Sequence, residues 1–133
     1  LFVIITVLVL AVFITQLTDI VKHLVERLRP NNAPEIKNFI RILKTPSSYS
    51  FFSGHASSSF SITMLLFLFL RRRFKGAWLF YIWPLFFAYS RIYIGVHYPL
   101  DIIVGATVGI ICAFVFYTIY VKIIVPCLKL SHP

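Results

Sequence analysis

Residues 1–18 contain no charged side chain, and neither do the twenty residues from 102 to 121. Coiled as helices, runs of this length and apolarity match the hydrocarbon core of a bilayer. A soluble domain of 133 residues that is 59% hydrophobic could hardly solvate its own surface, whereas lipid-facing helices need that composition. The chain is therefore read as an all-α integral membrane protein. Four acidic residues against thirteen Lys and Arg leave a formal charge of +9, which suits anionic lipid headgroups or phosphate-bearing substrates. Nucleic acid fits poorly as a partner, because the basic residues flank or interrupt apolar spans instead of lining a soluble face.

A pass along the chain predicts four spanning helices and one interfacial helix. The first occupies residues 1–18 and runs on beyond the bilayer as a polar stripe, Asp19, Lys22, Glu26 and Arg29, until Arg29-Pro30 stops it. Residues 30–50 form a surface connection in which Asn32 and Glu35 have capping-box spacing. Ile36, Phe39, Ile40 and Leu43 then recur on one face of a short amphipathic helix over 35–44, with Lys37, Arg41 and Lys44 elsewhere around it. The second spanning helix covers 55–70 and ends at the basic turn 71–76. The third covers 77–93 with a kink at Pro84, and the fourth runs from Pro99 to about residue 121. Gly105 and Gly109 have the small-xxx-small spacing of close helix approach. Cys112 and Cys127 show neither metal-ligand spacing nor a disulfide framework. The chain opens at Leu1 inside an apolar run, without the basic region of a signal peptide, so a single membrane domain over 1–133 is expected to be N-terminally incomplete.

Helix length then places the polar residues. At 1.5 Å per residue, 55–70 and 77–93 each span about 24–26 Å, one hydrocarbon core. The chain crosses, turns at the arginines and returns, so His55, Arg91 and His97 lie on one side. Lys22 and Arg29 join them through the 30–50 connection. The dense arginine turn is expected to be cytoplasmic by the positive-inside rule, which puts the meeting point on the extracytoplasmic side of a plasma (bacterial inner) membrane.

Three clusters meet there. Charged groups between apolar runs are costly unless paired or facing water, so Arg91, His97 and Asp101 invite a functional reading. Pro99 suits the first turn of a helix and places Asp101 in that turn, just beyond His97. An imidazole beside a carboxylate has its tautomer fixed and its basicity raised, as a nucleophile or base requires; alternatively Asp101 only complements the helix dipole. Lys22 and Arg29, seven residues apart on a continuous helix, share a face about 10.5 Å apart and can reach one anion, or they pair with Asp19 and Glu26 along the helix. Ser53-Gly54-His55 opens the second spanning helix, where backbone N–H groups and a serine hydroxyl can donate to phosphate oxygens and His55 can donate a proton. Ser53 also suits an N-cap. Ser57, Ser58, Ser59 and Ser61 read as packing residues.

In order, these pieces are Lys22-x6-Arg29-Pro30, Ser53-Gly54-His55 and Ser90-Arg91-x5-His97-x3-Asp101. The sequence resembles the three-part signature of the type 2 phosphatidic acid phosphatase superfamily over roughly residues 15–125. It departs from that pattern at Phe52, where the family usually has proline, and in length, since membrane members usually have about six spanning helices. The resemblance implies metal-independent hydrolysis of a phosphomonoester or diphosphate on a membrane lipid, with no cofactor. It implies His97 as nucleophile forming a phosphohistidine, Asp101 holding its imidazole, and His55 as general acid. Lys22, Arg29, Ser53, Gly54 and Arg91 would hold the phosphate. Two other functions are weighed beside it: a non-catalytic lipid-binding or structural membrane module, and a vanadate-dependent oxidation of the haloperoxidase kind using the same cradle.

Overall fold

The computed structural model describes residues 1–36, 38, 39, 43 and 46–128. Among them the chain is helical, with no strand: α1 is Phe2–Val25, α2 is Gly54–Leu70, α3 is Ile82–Tyr93 and α4 is Pro99–Ile119. The stretches Phe2–Asn32 and Pro99–Cys127, built on α1 and α4, are long and apolar enough to cross a membrane. Their outer faces carry large exposed side chains such as Ile4, Leu8, Val12, Ile103 and Ile111. In water, such faces would be an aggregation liability.

The second helix is the centre of the bundle. It packs against α1, α3 and above all α4. One cluster, Leu10, Leu65, Leu68, Phe69, Ala113 and Tyr120, fills the end near the basic turn. A smaller one, Ala56, Phe60, Ala88 and Ile102, lies toward the other end. Gly105 and Gly109 explain why α2 and α4 come so close. A Cβ on Gly105 would stand 2.6 Å from the Ser53 carbonyl oxygen, and one on Gly109 would collide with the Ser57 carbonyl. The serines of α2 return their protons to the helix, Ser59 to Ala56 O and Ser61 to Ser58 O, and so pack without an orphaned hydroxyl.

Three expectations are corrected, and the end of α4 shows a further feature. The first helix stops at Val25, four residues before Arg29: Glu26 turns left-handed at φ 50° and its N–H closes on Lys22 O. Lys22 and Arg29 therefore do not share a helical face. Pro34–Ile36 form a turn, preceded by a tight 3-10 turn at Pro30–Asn32, so Asn32 does not cap a helix there. Lys37, Ile40, Arg41 and Lys44 of the amphipathic segment lie outside the described residues. The third helix is two pieces, a 3-10 turn over Ala77–Tyr81 and then α3. Pro84 thus occupies the first turn of a helix, where its missing N–H costs nothing, and does not kink a longer one. Finally, α4 widens beyond Ile119 into a π turn, Tyr120–Ile124, before a last turn at Val125–Cys127 that holds Pro126.

Candidate active site

The end of the bundle where α1 and α3 finish and α2 and α4 begin gathers the polar residues. His97 sits on the tight turn between α3 and α4. Gly95 makes that turn possible with φ 70°, a conformation that strains any residue with a Cβ. Tyr98 is extended and Pro99 opens α4. Asp101 receives the Tyr98 N–H on Oδ2 at 3.1 Å and returns its own N–H to Tyr98 O at 3.0 Å, which locks the first turn. The Ser53 N–H donates to Asp101 O at 3.0 Å and ties the starts of α2 and α4 together.

The hydrogen bonds settle the tautomer of His97. Arg29 Nη1 lies 3.2 Å from His97 Nε2, and a guanidinium can only donate. Nε2 is therefore the acceptor and Nδ1 carries the proton. That proton faces Ser50 Oγ at 3.4 Å and Asp101 Oδ2 at 3.6 Å. Ser50 Oγ in turn donates to Asp101 Oδ2. The imidazole thus reaches the carboxylate both directly and through Ser50. Asp101, wholly buried, receives Arg27 Nη1 on its other oxygen at 2.8 Å, and the Arg27 guanidinium lies 4.1 Å above the Tyr98 ring.

Arg29 is buried and fixed on three sides. Its Nε donates to Ser48 O at 2.6 Å, Nη2 to Ser48 Oγ at 2.9 Å, and Nη1 to Val96 O at 2.9 Å as well as to His97. Burial holds the His97 imidazole below its ordinary value of 6.5; Asp101 opposes this while Arg29 and Lys22 add to it. The ring is neutral near pH 7, with its Nε2 lone pair directed at a cation.

The other sequence-selected residues lie at the same end of the bundle. Lys22, Gly54 and His55 line an open cavity of about 240 Å3 between α1 and α2. A Cβ on Gly54 would meet Lys22 Nζ at 3.8 Å, so the ammonium stands beside the first turn of α2, where backbone N–H groups lack partners within the helix. His97 lines a second cavity of about 200 Å3 with Gly95, Tyr98 and Pro99. His55 meets the edge of Phe87 with ring centroids 5.4 Å apart, and the Arg91 guanidinium covers the same ring at 4.8 Å. Phe87 therefore spaces the two. Ser53 is fully buried, and its Oγ accepts from Ala56 N at 3.3 Å, the capping role. Among the described residues, no three His, Cys, Asp or Glu side chains form a group that could hold a metal.

Reading the sequence missed Arg27, Ser48, Ser50 and Phe87. On an unbroken helix Arg27 points about 160° away from Arg29, which hid it from the cationic face. Ser50, three residues before Ser53 in a serine-rich loop, has no spacing that marks it.

Comparison with known proteins gives the chain relatives. The PAP2 superfamily model matches residues 1–124. The chain is 34% identical over 106 residues to a lipid A 4'-phosphatase of Bacteroides thetaiotaomicron, covering 77% of this chain and 46% of that protein. It is 33% identical over 108 residues to an undecaprenyl-diphosphatase of Sulfolobus acidocaldarius, covering 79% and 49%. The crystal structure of a transmembrane PAP2-type phosphatidylglycerolphosphate phosphatase from Bacillus subtilis superposes with a TM-score of 0.71 at 26% identity, over 88% of this chain and 58% of that one. The chain spans about half the length of these two curated relatives.

Proposed function

The chain belongs to the PAP2 superfamily, and from that membership and the arrangement around His97 we propose that it hydrolyses a phosphomonoester or diphosphate on a membrane lipid. The reaction proceeds through a phosphohistidine and without a metal. One observation carries this reading: a buried, neutral His97 presents the Nε2 lone pair to a cationic site while Ser50 and Asp101 hold the opposite ring nitrogen. Its relatives' names support the substrate class, since lipid A, undecaprenyl diphosphate and phosphatidylglycerolphosphate are all phosphorylated lipids.

In the first step Nε2 attacks phosphorus in line, the P–N bond forms and the P–O bond to the lipid breaks. His55, whose charged form the bound phosphate dianion favours, gives its proton to the leaving oxygen. Charge on the three equatorial oxygens is balanced by Lys22, Arg29 and Arg91 with the Gly54 N–H, the work a metal does in other phosphatases. Ser53, which caps α2, contributes by fixing that N–H. In the second step water attacks the phosphohistidine, His55 takes its proton, and His97 leaves neutral. Asp101 and Ser50 keep Nδ1 protonated and the ring in place throughout.

All four helices are read as spans of one membrane domain, part of a larger bundle. The 17 residues of α2 extend about 25 Å, and the 3-10 turn plus α3 about 28 Å. The basic turn at 71–75 would then face the cytoplasm and the site the opposite side of the plasma membrane. A phosphate-release assay on phosphorylated lipids in detergent tests the function. Turnover should survive EDTA and fall by about a thousandfold or more in His97→Ala. Activity lost to EDTA and restored by magnesium would remove the metal-free mechanism. A folded His97→Ala with normal turnover would remove the nucleophile. Binding of lipid with no release by the wild type would favour a non-catalytic lipid-binding module.

A further inference from the structure

The cavity between α1 and α2 is roomier than a phosphate group needs, and one end of it is not built for an anion. Its volume of about 240 Å3 corresponds to about eight waters at liquid density, against the five heavy atoms of a phosphate. Lys22 and His55 mark the cationic end. The remaining wall is Thr15, Thr18 and Asp19 on α1 and Ser58 on α2. Positions 15, 18, 19 and 22 recur at helical spacing, so they form one polar stripe leading from the site into an otherwise apolar helix.

Each hydroxyl in that wall has already committed its proton. Thr15 Oγ1 donates to Ala11 O at 2.8 Å, Thr18 Oγ1 to Ile14 O at 2.7 Å, and Ser58 Oγ to Gly54 O at 2.7 Å. A hydroxyl has one proton and two lone pairs, so what remains for the cavity is acceptor. The Asp19 carboxylate accepts only, is exposed, and makes no ion pair among the described residues. A phosphate, itself all acceptor, matches Lys22 and His55 and is mismatched to the Asp19 carboxylate, which stands one turn from Lys22 on the same face of α1.

We propose that this cavity selects the leaving group: it takes a phosphomonoester whose leaving group carries a hydroxyl or ammonium donor beside the phosphate, as a glycerol or sugar headgroup does. The phosphate lies toward Lys22 and His55, and the neighbouring donor meets Asp19 and Thr15. This assignment rests on the reading of the chain as a phosphohydrolase acting through His97. A diphosphate would set a second anionic group against Asp19, and an isoprenoid monophosphate would offer the acceptors nothing. A site built to bond a substrate hydroxyl rejects the analogue that lacks it. Here water still reaches Asp19, so the discrimination is modest, on the order of tenfold.

The test compares three probes on the whole chain in detergent: a short-chain monoacylglycerol phosphate with its free hydroxyl, the same ester lacking that hydroxyl, and farnesyl diphosphate. Phosphate release and the thermal shift on binding are read for each. Wild type should favour the hydroxyl ester over its deoxy analogue by about tenfold in kcat/KM, with the diphosphate poorest. Asp19→Ala and, separately, Thr15→Val should bring the hydroxyl-to-deoxy ratio toward one. Equal use of the two esters by wild type, a preference for the diphosphate, or a ratio unmoved in both variants overturns the proposal. If no probe is hydrolysed, the phosphohydrolase reading fails, and the thermal shifts then decide the cavity by themselves. A larger shift with the hydroxyl ester that Asp19→Ala removes supports the assignment, and equal shifts overturn it.

Discussion

Replacing Arg27 with methionine removes one of three donors that hold the Asp101 carboxylate, the others being Ser50 and the Tyr98 N–H. Asp101 is wholly buried, so water cannot take the place of the lost partner at the carboxylate itself. Breaking a fully buried pair from one side costs about 3–5 kcal/mol. Two features lower that figure. The Arg27 side chain is 35% exposed, so the pair is partly screened, and Oδ2 keeps both of its donors. The lost stacking on Tyr98 adds about 0.5–1 kcal/mol. The expected destabilisation is about 2 kcal/mol. A double-mutant cycle with Asp101→Asn, read by unfolding in detergent, isolates the pair from the stacking, and its coupling energy should be about 1.5 kcal/mol. In the proposed mechanism Asp101 positions His97, so Arg27→Met should also lower kcat by about 10–100-fold while changing KM for a short soluble ester little. Arg27→Lys should restore part of the loss. A coupling energy below about 0.5 kcal/mol together with unchanged kcat would refute the view that Arg27 anchors the carboxylate.

Gly105→Ala places a Cβ 2.6 Å from a backbone oxygen at the start of α2. Because no side-chain rotation relieves that contact, a loss of about 1–3 kcal/mol is expected, with a fall in turnover from displacement of Gly54 and His55 relative to His97. Wild-type stability in an unfolding assay would show that α2 and α4 are not locked as described. The pH dependence follows from His97, which is neutral in the fold with its titration below 6.5. Below pH 6.5 the unfolded chain binds a proton that the native site resists, so this contribution to stability is complete above 6.5 and declines as pH falls through that value. The stability gap between wild type and His97→Asn should therefore narrow from pH 7.5 to 5.5; a gap that widens would mean a charged imidazole in the fold.

The starts of α2 and α4 were legible because local chemistry dictates them: a serine cap before Gly54, and a proline at the first position of α4. The end of α1 was not. Nothing between Lys22 and Pro30 is a glycine or proline, and the charged stripe keeps helical period to Arg29. What ends the helix is tertiary. Arg27 and Arg29 find Asp101 and His97, residues about seventy positions away, and Glu26 accepts a left-handed backbone so that both arginines turn inward. The same long-range pairing recruits Ser50, whose backbone N–H donates to Arg27 O at 2.8 Å. Periodicity describes a helix in isolation and is blind to such partners. Pro84 is a case of two local rules competing, since a proline inside an apolar run kinks a long helix or starts a short one, and the run itself does not choose.

Arg29 joins the fold to the chemistry. In the free site its Nη1 is shared between Val96 O and His97 Nε2. The cation therefore caps the lone pair that the proposed reaction needs, and its charge also discourages protonation of that nitrogen. A phosphate oxygen entering the site competes for the same N–H. Both bonds are charge-assisted, because Arg29 is a cation in each, but the phosphate oxygen carries negative charge where the imidazole nitrogen is neutral, which makes its bond the stronger. In the proposed reaction the exchange from imidazole to phosphate thus favours the arriving substrate, and it uncovers Nε2 when phosphorus stands in front of it. Ser48 makes this switch small in amplitude: it grips Nε and Nη2, so only the Nη1 contact changes hands while the guanidinium plane stays where it was. Lysine, with one freely rotating ammonium, could supply the charge at that place but could not hold Ser48, Val96 and the phosphate in one fixed plane.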